Sequence, residues 1–137
     1  MTGPSLRRLL LALSCATAAL LTACGSGSIV DPFTPTRILS VGDSFSDLGQ
    51  DGRRYTVNDD TINIWSQQAA LNWGLPLIAS NKGGLSYAHG DALVSGPTGH
   101  SIEAQITELL SKNTLQSGDL VFVNGGLADI MTNVATL

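Results

Sequence analysis

Ile38-Leu39-Ser40-Val41-Gly42-Asp43-Ser44-Phe45-Ser46-Asp47-Leu48-Gly49 is the stretch on which the reading of this chain turns. The apolar run from Ile38 suits a short strand. Gly42 lets the backbone turn tightly, and a serine just after such a turn stands at the carboxyl edge of a sheet with its hydroxyl exposed. Open α/β sheets carry their chemistry at that edge, which makes Ser44 a candidate nucleophile. The same residues also suit an ordinary turn in which Asp43 and Ser44 bond local backbone.

Downstream, Gln50 to Asp60 is polar and reads as a long loop, with Arg53 and Arg54 as solvated charges. Thr61 to Trp73 places Ile62, Trp65, Ala69 and Trp73 at helical spacing, which predicts a helix whose tryptophans enter the core. Asp59, Asp60 or Thr61 can cap its start, and Gly74 followed by Pro76 should end it. A short strand is expected at about 85–89. Ser101 to Lys112 predicts a second helix, with Ser101 as N-cap and Ile102, Ile106, Leu109 and Leu110 on one face. Ser117-Gly118 turns the chain into Asp119-Leu120-Val121-Phe122-Val123, which reads as a fully buried parallel strand. Another helix begins near the end of the sequence.

Gly42-Asp43-Ser44-Phe45-Ser46-Asp47-Leu48-Gly49 closely resembles the first sequence block of the GDSL, or SGNH, family of serine esterases and lipases, in which the serine of Gly-Asp-Ser is the nucleophile. The helix before Leu75-Pro76-Leu77 and the segment Leu85-Ser86-Tyr87-Ala88-His89-Gly90-Asp91-Ala92 are similar to the family's next features. The resemblance implies a flavodoxin-like, three-layer α/β sandwich, present here as its amino-terminal part over 37–137. It implies that Ser44 is the nucleophile and that the Ser44 and Gly90 backbone amides hold the oxyanion. A glycine suits that role because a backbone donor approaches an oxyanion closely only where no side chain intervenes. Gly42, Asp43, Asp47, Gly126 and Asp129 are the supporting motif positions.

Two departures bear on activity. The family's third block usually reads Gly-x-Asn-Asp, with an asparagine that donates to the oxyanion; Gly126-Leu127-Ala128-Asp129 puts alanine there. One lost oxyanion donor costs about 3–4 kcal/mol of transition-state stabilisation in serine proteases, and Asn124 is the candidate replacement. The fourth block, Asp-x-x-His, supplies the base and is absent from this sequence. A serine hydroxyl without a base is a weak nucleophile. Either a truncated esterase or a degenerate relative that binds without hydrolysing fits that absence. His89 and His100 are loop or strand-end residues with no feature directing them to Ser44. Three candidate strands make half of a doubly wound sheet, and the last would leave an apolar edge prone to aggregation.

The front of the chain reads as delivery apparatus. Arg7 and Arg8 precede an apolar run from Leu9 to Leu21, which predicts a secretory signal over residues 1–23, too short for a comfortable membrane span. Leu21-Thr22-Ala23-Cys24 resembles the lipobox of bacterial lipoproteins, which implies a lipidated Cys24 anchored in the bilayer of the bacterial envelope. Residues 24–36, with Gly25-Ser26-Gly27-Ser28, Pro32 and Pro35, read as a flexible tether.

Cys15 would leave with the signal, so the mature chain would have no disulfide to make. The 137-residue chain fits one domain at most and carries a formal net charge of −4. Processing would remove two basic residues and no acid, leaving five basic against eleven acidic residues and a net charge of −6. Such a chain without a basic run argues against nucleic acid as partner. No metal-ligand cluster or phosphate-cradling loop is evident, so no cofactor is expected. The partners implied are a small-molecule or lipid ester and the lipid bilayer.

Overall fold

The structure is a computed structural model that describes residues 31–134. The expected signal, Cys24 and most of the tether lie outside the described residues. What is described is a small α/β unit with a two-stranded parallel sheet and three helices. In chain order these are β1 (Arg37–Val41), α1 (Trp65–Leu71), a 3₁₀ turn (Ser80–Lys82), α2 (Ile102–Lys112), β2 (Asp119–Val123) and α3 (Leu127–Val134). Strands β1 and β2 pair in register from Arg37 opposite Asp119 to Val41 opposite Val123. The first pair is locked by a forked ion pair, with Arg37 Nε 2.8 Å from Asp119 Oδ1 and a guanidinium nitrogen 2.6 Å from Oδ2. That fork holds the Asp119 carboxyl below its usual value, the Arg37 hydrogen bond being the main cause.

The packing extends ahead of Arg37: Pro35 is buried and the Thr36 N–H donates to Gly118 O at 2.9 Å. The third strand expected at 85–89 is reduced to a single bridged position, Ser86, which pairs with Ser40 and Ala79. The segment still runs alongside β1. Ser40 N donates to Leu85 O, Tyr87 N to Ser40 O and His89 N to Gly42 O. The ladder does not continue because the Gly42 N–H points to Gln105 Oε1 at 2.8 Å instead.

Gln105 corrects the stripe expected on α2. The buried residues there are Ile102, Gln105 and Leu109, while Ile106 and Leu110 are exposed. A polar side chain enters this core because its hydrogen bonds are filled: Nε2 donates to Gly42 O and to His100 O, both at 2.9 Å. The start of α2 is as expected, since Ser101 Oγ accepts from Ala104 N at 3.2 Å.

Helix α1 is shorter than expected and rotated in phase. It begins at Trp65, where Gln67 Oε1 accepts from Ile64 N at 3.2 Å, and Gly74 at φ +68° closes it off. Its buried positions are Ser66 and Ala70, with Ile64 just before, and Ile62, Trp65 and Trp73 are partly exposed, at 41–48%. Trp65 nevertheless reaches the sheet through one edge: its ring lies 5.5 Å from that of Phe122, and Nε1 donates to Ser46 Oγ at 3.1 Å.

Two apolar clusters flank β1. Ile38, Leu48, Ile64, Ala70, Leu77 and Ala79 pack on one face, and Leu39 and Val41 pack with Tyr87, Ile102 and Leu109 on the other. Strand β2 is not fully buried as its composition suggests. Val121 and Val123 are exposed, the latter to 61%. Among the described residues no helix is long and apolar enough to cross a membrane.

Candidate active site

Ser44 follows β1 at its carboxyl end, after Gly42, in a turn closed by Ser46 N donating to Asp43 O at 2.9 Å. Gly42 has to be glycine here, because a Cβ would overlap the Asn124 side chain. Asp43 is the turn residue proper: its Oδ1 accepts from Phe45 N at 3.1 Å. The carboxylate is fully buried and also accepts from Asn124 Nδ2 and, at 3.4 Å, from Leu127 N at the start of α3. Asp43 thus ties the end of β1 to the end of β2. A buried carboxylate needs several donors to offset its lost hydration.

Asp47 forms the second buried carboxylate of the turn. Its Oδ1 accepts from Gly49 N at 2.7 Å and Gln50 N at 3.0 Å, and its Oδ2 accepts from Gly90 N at 2.8 Å. The Gly90 amide is therefore engaged by Asp47 in this structure. A Cβ at position 90 would also run into the Tyr55 ring.

Ser44 behaves unlike its neighbours. Its Oγ accepts from the Asp91 N–H at 2.8 Å, a contact between residues 47 positions apart, and lies 3.4 Å from Asp91 Oδ1. Its own N–H has no partner among the described residues. Ser44 and the Gly90 segment are thus brought together, with Asp91 as the link.

The remaining expected residues serve the frame. Asn124 bonds Asp43 through Nδ2 and Ser46 through Oδ1, and no bond runs from it to Ser44. Gly126 adopts φ +101°, a conformation suited to glycine, and α3 follows directly. Asp129 accepts from Val94 N at 3.0 Å and so fastens α3 to the segment before α2. Ala128 offers no side-chain donor. Cys24 lies outside the described residues.

Arg54 is not the solvated charge expected from its polar neighbourhood. It is 5% exposed and donates to Asp59 O at 2.7 Å and Gln67 Oε1 at 2.8 Å, pinning the loop to α1. Arg53 remains exposed, with its guanidinium 4.9 Å from the centre of the Tyr55 ring. Its pKa is raised, chiefly by the Tyr55 hydroxyl and, to a lesser degree, by the Asp91 charge.

A cleft of about 330 Å³ opens beside this region, lined by residues that include Asp51, Tyr87, His89, His100, Glu108 and Lys112; Ser44 does not line it. The two imidazoles stack there with centres 4.0 Å apart. His89 Nδ1 lies 3.0 Å from Gly90 O. Its Nε2 is 3.0 Å from Asp51 Oδ2, but the carboxylate sits off the N–H direction and makes no aligned hydrogen bond. Neither histidine bonds Ser44. Among the described residues no group of three His, Cys, Asp or Glu side chains is arranged to hold a metal ion.

Two contributors were not visible in the sequence reading. Gln105 looks like an exposed helix residue until its partner, the Gly42 backbone, is known. Asp91 has no role that its neighbours in sequence suggest. Its available signal was chemical: aspartate is among the few side chains that tolerate a left-handed backbone. No family model, curated protein or solved structure matches this chain.

Proposed function

We propose that this chain carries the nucleophile half of a serine acyl-transfer site of the GDSL, or SGNH, type, acting on small-molecule or lipid esters. In this reading the two-stranded unit is the amino-terminal part of a flavodoxin-like sandwich, and Cys24 carries the lipid that holds it in a bacterial envelope. The observation that supports it most is the state of Ser44: it follows a strand end and a glycine, its Oγ is oriented by a distant backbone N–H at 2.8 Å, and its own N–H is open. An unengaged amide beside a fixed hydroxyl suits an oxyanion that forms when Oγ attacks an acyl carbon.

A second reading, a non-catalytic envelope lipoprotein that binds an ester or glycan, draws on Gly90 and Ala128. The Gly90 amide is engaged by Asp47, and position 128 has no side-chain donor. Hydrolysis of a short-chain p-nitrophenyl ester by the longest natural form separates the two. The esterase reading expects turnover that Ser44→Ala abolishes; saturable ester binding without turnover favours the binder. Metabolic labelling with a fatty acid, lost on Cys24→Ser, tests the anchor.

A further inference from the structure

Asp91 is held in a backbone conformation that few residues adopt, and the result is a charge fixed beside Ser44. Among the described residues it is the one non-glycine with a positive φ, +56°, and it is exposed. Residues in sparsely populated conformations persist where the surrounding structure imposes them, and they cluster at functional sites. Here the Asp91 N–H donates to Ser44 Oγ at 2.8 Å, which anchors the residue, and the carboxylate Oδ1 stands 3.4 Å from the same oxygen. Whatever acyl group reaches Ser44 meets that carboxylate.

The surroundings add to this charge rather than cancel it. Asp43 and Asp47, before and after Ser44 in the turn, are buried. Their partners are neutral: Phe45 N, Leu127 N and Asn124 Nδ2 for Asp43, and Gly49 N, Gln50 N and Gly90 N for Asp47. Such donors replace lost hydration but leave the net charge in place. Among the described residues none of the three carboxylates is in an ion pair. Arg53 is the cation whose charge reaches Asp91, and it is drawn chiefly to Tyr55, whose ring centre lies 4.9 Å away. Three carboxylates around one hydroxyl make a negative field, and a field of one sign concentrates ligands of the other.

We infer that Ser44 serves esters that carry a cationic group near the scissile bond, and that the Asp91 carboxylate reads that charge. The inference rests on the acyl-transfer reading of Ser44 and names its substrate class. An ammonium group a few ångströms from the acyl carbon falls within reach of Asp91 Oδ1, whereas an anionic group in the same place is repelled. The cation also has a chemical use. Negative charge grows on the acyl oxygen during attack, the nearby carboxylates oppose it, and a positive charge on the substrate offsets that opposition.

The test is a pair of esters equal in shape and different in charge, acetylcholine and 3,3-dimethylbutyl acetate. They are given to the full chain in its longest natural form at low salt, with Ser44→Ala as the blank, and the quantity read is the ratio of their kcat/KM values. A charge pair at close range near a protein surface favours the cationic ester by about tenfold. At about 1 M salt, where the screening length is about 3 Å, that ratio should shrink severalfold. Asp91→Asn keeps the size of the side chain and tolerates a positive φ, and Asp91→Gly takes the angle freely. Each should bring the two esters within about twofold of one another and remove the salt dependence. A merely structural residue would lower both rates together and leave the ratio where it was. Equal turnover of the two esters by the unaltered chain, or a preference that survives either high salt or Asp91→Asn, overturns the charge role while Ser44 keeps its standing as nucleophile. Should both variants lose all turnover, a ratio that salt leaves unchanged overturns the charge role and one that salt collapses upholds it. If the unaltered chain turns over neither ester, the acyl-transfer reading falls and this inference falls with it.

Discussion

Strands β1 and β2 are each five residues long and lie side by side, yet their composition and burial run in opposite directions. β1, Arg-Ile-Leu-Ser-Val, includes a cation and a hydroxyl and is buried from its second residue onward. β2, Asp-Leu-Val-Phe-Val, is four-fifths apolar and nowhere fully buried. The register puts Leu39 beside Val121 and Val41 beside Val123, so these four share a sheet face. Ile102 and Leu109 of α2 cover the first member of each pair and leave the second exposed. Burial in this unit is decided by which strand has neighbours, and the candidate nucleophile follows the strand that has them on both edges and both faces.

The comparison breaks most visibly through a paired truncation. Leu39→Ala should cost about 2–5 kcal/mol, the usual range for a large core residue cut to alanine. Val123→Ala on the neighbouring strand should stay within about 0.5 kcal/mol. Urea unfolding of the two variants measures both, and equal losses would mean that β2 is buried in solution.

The next effect concerns the clamp on β1. Gln105→Leu leaves the buried Gly42 N–H and C=O without their side-chain partner, at about 1–3 kcal/mol. The same unfolding experiment reads it, together with faster amide exchange at Gly42. A variant as stable as the parent would show that water or the 85–89 segment can take over.

Two smaller effects sharpen the β2 side. Val121→Lys with Val123→Lys should change stability by no more than about 1 kcal/mol in sum while lowering self-association, because lysine on an open edge discourages strand-to-strand pairing. Light scattering across a concentration series checks this, and unchanged association would place the sticky surface elsewhere, for instance on Ile130, Met131 and Val134 of α3.

The smallest expected effect is electrostatic. The Asp119 carboxyl is held below its usual value by Arg37, so the unfolded chain binds its proton first as the solution is acidified. The stability from this pair is present above about pH 4 and is lost as pH falls below the ordinary carboxylate value. Asp119→Asn should therefore flatten the urea midpoint against pH in that acid range and leave its slope near neutrality unaltered.

Local patterns carried the reading where local physics decides structure. β1 and β2 follow from short apolar runs between turn residues, and α2 follows from Ser101 and an eleven-residue helical segment. β2 departs from expectation because it lacks neighbours; the other departures share one cause, a distant partner that overrides a local preference. Arg54 is polar and sits among polar residues, yet Gln67 and the Asp59 carbonyl receive it in the interior. Gln105 displaces Ile106 from the buried face because Gly42 needs its amide. Trp65 gives up burial for a bond to Ser46. At the site, Gly-Asp-Ser located the turn and its serine. The link to Asp91 depends on a backbone angle that no spacing rule encodes.

The Gln105 clamp has one more implication, for motion. A single side-chain amide on α2 holds both the N–H and the carbonyl of the glycine that precedes the candidate nucleophile. The helix and the turn are thereby mechanically joined, and departure of α2 by a few ångströms would release the Gly42 N–H at once, while its carbonyl stays with His89 N. The Gly42 amide is thus a built-in strain gauge: its exchange with solvent deuterium reports how often the helix lifts, from a position two residues before Ser44.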